Sequence, residues 1–175
     1  MSMYPIASTA LSSAGTITFS NIPTTFTHLQ VRFSGYVNYT SATSQPMALG
    51  IYDINSSLLS PEYYHSLTGD GASATSYGGA TSYVPLIGYG TSGTNLNYTV
   101  GIIDILDYAN TNKNKTIRSI WGYDLNGSGK VGMNSMGIFS TTAIGVITLN
   151  FGGFSMGTGS RADLYGISTS GVTGA

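Results

Sequence analysis

"THLQVRF", residues 27–33, places Leu29, Val31 and Phe33 on one side of an extended chain and His28, Gln30 and Arg32 on the other. Side chains of a strand point alternately to its two faces, so strict apolar/polar alternation marks a half-buried strand. Working outward, "TITFSNI" (16–22) repeats the pattern just upstream, with Ile17 and Phe19 inward and Pro23 fixing the exit of the chain. Further strands are expected in "MALGIYD" (47–53), "YYHSLT" (63–68), "SYVPLIGY" (82–89), "NYTVGIIDILDY" (97–108), "TIRSIWGYDL" (116–125), "KVGMNSMGIF" (130–139), "AIGVITLNF" (143–151) and "RADLYGI" (161–167). Helix-favouring residues are scarce while β-branched and aromatic ones abound. About ten short strands separated by Gly- and Asn-rich turns predict an all-β, two-sheet antiparallel sandwich.

The 175 residues suit a single domain with a sizeable core. The expected division is a short arm at 1–14, one sandwich domain at 15–170 and a flexible tail at 171–175. Between 69 and 80, "GDGASATSYGGA" reads as a flexible loop. "IIDIL" (102–106) and "AIGVITL" (143–149) carry apolar residues on both faces of the pleat, which predicts cover on both sides, the core on one and another subunit on the other.

Only 13 residues are charged, six basic against seven acidic, for a net charge of −1. No basic stripe is present to grip phosphates, so nucleic acid is not expected as a partner. The absence of cysteine removes disulfides, thiolate metal sites and cysteine nucleophiles, and suits folding in a reducing cytoplasm. The first residues lack the basic and apolar regions of a signal peptide, and no window approaches the roughly 18–20 apolar residues of a membrane span. A soluble chain without a membrane partner is expected.

Candidate chemistry is sparse. "GYDLNGSGKVGM" (122–133) places Asp124, Asn126, Ser128 and Gly129 as in the first half of an EF-hand loop, but Ser135 stands where a bidentate carboxylate is needed. With strands on either side, the stretch reads as a β-hairpin. His28 and His65 form no ligand pair and read as polar residues on strand faces. A carboxylate pair would have to come from Asp53, Glu62, Asp70, Asp104, Asp107, Asp124 and Asp163. Asp104 and Asp107 share a predicted strand, but a spacing of three puts them on opposite faces. No G-x-S-x-G elbow supports a serine nucleophile. No catalytic, cofactor-binding or metal residue is assigned, no cofactor is expected, and the binding surface is left open. Thirteen tyrosines offer stacking faces for sugars, although most lie in or beside strands where aromatics are favoured anyway.

Two segments carry a resemblance: "GTITFSNIPTTFTHLQVRFSGY" (15–36) and "GSRADLYGIS" (159–168). They are similar to the opening T-F-x-x-I-P-x-x-[YF]-x-H-L-x-[VIL]-R and the closing G-S-R-x-x-L-Y-G-I of a group of small tailed-bacteriophage virion proteins. The resemblance implies a jelly-roll-like β-sandwich, usually a homotrimer, made in the bacterial cytoplasm and located in the virion. It implies a non-enzymatic structural role, either capsid decoration on the major capsid protein or a short head-fibre or tail-tip module that contacts host-surface carbohydrate. The short arm at 1–14 favours decoration, because a fibre tip is expected behind a longer attachment segment.

Overall fold

The computed structural model describes residues 1–38, 46–59, 63–79, 84–87, 98–124 and 129–169. Its strands are β1 (Ser2–Ala10), β2 (Ile17–Phe19), β3 (His28–Gly35), β4 (Pro46–Asp53), β5 (Tyr63–Gly69), β6 (Ala74–Gly79), β7 (Val84–Ile87), β8 (Thr99–Leu106), β9 (Lys115–Asp124), β10 (Gly129–Ile138), β11 (Ile144–Asn150) and β12 (Arg161–Ser168). An eight-stranded sheet in the order β1-β12-β3-β8-β9-β10-β5-β6 faces a four-stranded sheet in the order β2-β11-β4-β7. Every ladder is antiparallel. The chain passes between the sheets repeatedly, β1 to β2 to β3 to β4, which is the sandwich expected from the sequence with a jelly-roll-like course.

The core lies between the sheets and is built by the alternation. Leu29, Val31 and Phe33 of β3 meet Ile17 and Phe19 of β2, Ile103 and Ile105 of β8, and Leu49 and Ile51 of β4 in one buried cluster. Ala162 and Leu164 of β12 join it. Burying such a side chain contributes roughly 1.5–3 kcal/mol each, offset by the chain entropy lost on ordering.

All ten expected strands have counterparts, and two more are present. Residues 1–14, expected as an arm, contain β1, which pairs along its length with β12. The sandwich therefore begins at Ser2. Pro5 sits where the register shifts between Pro5 and Ala7, the kind of edge position that tolerates a missing N–H. The stretch expected as a loop at 69–80 contains β6, paired with β5 from Tyr64↔Gly79 to Gly69↔Ala74. β1 and β6 are the two edges of the large sheet. The expected tail at 171–175 lies outside the described residues.

One buried turn ties the first motif to the body. Tyr108 is fully buried, its hydroxyl donates to the Pro23 carbonyl, and it accepts from the Phe26 N–H at 3.4 Å. Burial raises this phenol above its usual 10.0, so it remains a donor throughout the neutral range. Beside it, His28 Nδ1 accepts the Asp107 N–H at 3.0 Å, which requires that nitrogen to be unprotonated. Tyr108→Phe keeps the ring and removes both partners of the 23–26 turn. It should cost about 1–3 kcal/mol in urea unfolding, the scale of leaving buried polar groups unpaired.

Candidate interaction face

The outer face of the eight-stranded sheet changes character halfway across. One row of directly paired residues runs through all eight strands: Ser8, Asp163, Arg32, Ile102, Ile120, Met133, Leu67 and Ser76. The β1-β12-β3 side of that row is polar. From β8 to β5 it is aliphatic.

The polar half is a connected network carried by the outward residues of the two terminal segments. Arg161 Nη2 donates to Asp163 Oδ1 at 2.9 Å. Arg32 Nε donates to Gln30 Oε1 at 2.9 Å, and its guanidinium stands 5.5 Å from the centre of the Tyr165 ring. Gln30 Nε2 continues the chain to Asp104 Oδ1 at 2.9 Å, and Arg118 Nη2 closes it on Asp104 Oδ2 at 3.1 Å. A hydrogen bond from Ser8 and the paired Arg161 hold the Asp163 carboxyl below its usual value. The inward residues of the same segments, Leu29, Val31, Ala162 and Leu164, are core. Gly166 is required because a Cβ there would meet the Phe26 ring at 2.3 Å. β3 and β12 are adjacent, paired from Arg161↔Ser34 to Ile167↔His28, so the two ends of the sequence form one structural unit.

The aliphatic half holds Val100 and Ile102 of β8, Ile120 of β9, Val131 and Met133 of β10 and Leu67 of β5, all exposed. Two shallow grooves flank it. One, of about 510 Å³, is lined by His65, Leu67, Gly78, Arg118, Met133 and Ser135 among others. The second, of about 630 Å³, has Gly69 and Gly122 beside Val100 and Val131, with Asp70, Tyr98, Asp124 and Lys130 around them.

The sequence candidates fall as follows. β9 ends at Asp124 and β10 begins at its paired Gly129, so strands and not helices flank the EF-hand-like stretch, as a hairpin requires. Residues 125–128, with Asn126 and Ser128, lie outside the described residues. Asp107 is not in β8 but in the turn after it, at positive φ, and its carboxylate pairs with Lys113 at 3.4 Å. Asp104 is on the outer face, where its carboxylate is held by Gln30 and Arg118, so the two carboxylates have separate partners. Asp53 and Asp70 close tight turns, accepting the N–H groups of Asn55 and Ser57 and of Ala72 and Ser73. Those backbone donors lower the Asp70 pKa. Glu62 lies outside the described residues. Among the described residues no group of three or more His, Cys, Asp or Glu is placed to hold a metal. His65 stands exposed on the outer face between Ser135 and Gly78, with its ring 5.4 Å from that of Tyr63.

What the sequence did not disclose is the aliphatic patch. "IIDIL" shows apolar residues on both faces, but the patch is assembled from four strands, and its signal in each is only one or two out-of-phase Ile, Met, Val or Leu residues. "AIGVITL" behaves differently, because the outward Val146 of β11 is already half-buried within the chain. No family model, no curated protein and no solved structure matches this chain.

Proposed function

We propose that the chain is a non-enzymatic structural protein of a tailed-bacteriophage virion, a homotrimer that decorates the capsid surface by binding the major capsid protein. The observation that carries this reading is the divided outer face. Its polar half includes Arg32, Arg161 and Tyr165 of the two segments that bear the phage resemblance, and its other half offers an aliphatic surface suited to protein, its own copies included, rather than to sugar or phosphate. Because residues 2–10 belong to the sheet, the preference for decoration no longer rests on a free arm. It rests on the resemblance, whose two segments lie side by side as β3 and β12 with their polar residues on the outer face.

Labelled protein should bind expanded, undecorated capsids of its phage to a saturating, lattice-fixed stoichiometry. It should also raise the temperature at which they are disrupted, since a ligand selective for the assembled shell stabilises it by linkage. A second reading, a head-fibre or tail-tip module that contacts host-surface carbohydrate, draws on the 630 Å³ groove, where Tyr98 and several polar side chains surround a glycine floor. Binding to host cells with no binding to bare capsids would replace the first reading with the second.

A further inference from the structure

The six aliphatic side chains of the outer face are between 41% and 67% exposed in the single chain. They are contiguous in register: Ile102↔Ile120, Ile120↔Met133 and Met133↔Leu67 are direct pairs, with Val100 and Val131 one step along β8 and β10. Together they leave on the order of 600 Å² of apolar surface, at the upper limit for the largest patch of a monomeric protein. That is most of the roughly 800 Å² that one partner brings to a stable interface.

The charge around the patch also bears on its occupant. On one side its charged border, Asp104 and Arg118, is already paired within the chain at 3.1 Å, and at the Val100–Val131 end charges of both signs, Asp70, Asp124 and Lys130, stand beside it. With both signs present and Asp104–Arg118 neutralised within the chain, the border carries no single-sign field to repel an identical copy. The ladder itself has no hydrogen-bonding side chain, so sugar hydroxyls and capsid polar groups would lose water there without gaining partners.

We propose that the aliphatic half of this face is the surface through which copies of the chain associate, with Ile120 and Met133 at its centre. This rests on the homotrimer of the reading above for its stoichiometry, but not on binding to a capsid.

Light scattering tests it on the purified full chain without capsids. The natural sequence should run as an oligomer, and Ile120→Lys and Met133→Lys, made singly and together, should shift it to an 18.2 kDa monomer at micromolar concentration. Thr116→Lys, an exposed position of β9 outside the ladder, should leave the oligomer intact. Oligomers that persist in the ladder variants overturn the assignment of this surface while leaving the homotrimer standing. A natural chain that is monomeric overturns both, and leaves capsid binding to be decided by the capsid experiment.

Because the chain has no cysteine, a second measurement serves should the lysine variants fold poorly. Val131→Cys should react with a polar maleimide at least about tenfold more slowly than Thr116→Cys, since covered sites react only through the dissociated population. Equal rates at the two positions overturn the proposal.

Discussion

Deleting residues 161–175 should leave no folded protein. β12 is an interior strand, paired on one side with β1 and on the other with β3 over nearly all its residues. Its removal would leave β3 as a bare edge, detach β1 altogether and take Leu164 and Ala162 from the core. Expression should give insoluble chain, and any soluble fraction should lack a cooperative melting transition. The graded version is Leu164→Ala, expected to cost about 2–5 kcal/mol by cavity formation at a fully packed site. A truncated chain that stays folded and oligomeric and loses only capsid attachment would make Arg161–Ser168 a docking element instead.

Lys115→Met should be the most damaging single substitution of a charged residue. Lys115 opens β9 with its side chain fully buried, and its ammonium donates to the carbonyls of Asn110 at 2.5 Å, Lys113 at 2.9 Å and Thr141 at 3.2 Å. It thereby pins the turn after β8 to the loop between β10 and β11. Methionine fills much the same volume but leaves three acceptors without their donor, so a loss of about 3 kcal/mol or more is expected, measurable by urea unfolding.

Desolvation lowers the pKa of this ammonium below the usual 10.5, with the Asp107 carboxylate opposing the shift. As pH rises past the lowered folded value, the folded lysine sheds its proton while the unfolded one keeps it. The pH-dependent part of this group's contribution therefore rises between the folded value and 10.5, and is level below the folded value. The stability of the natural chain relative to Lys115→Met should rise across that alkaline window. A flat difference would show that the ammonium is not desolvated.

The strands legible in the sequence are those that bury one face against the other sheet, because burial is what imposes alternation on residue type. Leu29, Val31 and Phe33, or Ile17 and Phe19, declare their face whatever lies beside them. The two strands that were not legible, β1 and β6, are the edges of the large sheet, where an "ATSYGG" can pair through its backbone while contributing almost nothing to the core. Backbone hydrogen bonds stabilise such a strand, and they leave no mark on residue choice.

The same limit applies to the surface. The sequence by itself determined the all-β class, most of the strands and the inward half of each. Alternation records which side of a strand is buried, whereas the neighbours across the ladder are set by register and strand order. Only the tertiary structure decided that Ile102, Ile120, Met133 and Leu67, drawn from four separate segments, stand in one row. It also decided that Lys115, which no local pattern marks, is enclosed by three carbonyls, and that the first and last strands are neighbours. Each of these depends on long-range pairing, which no local window of sequence contains.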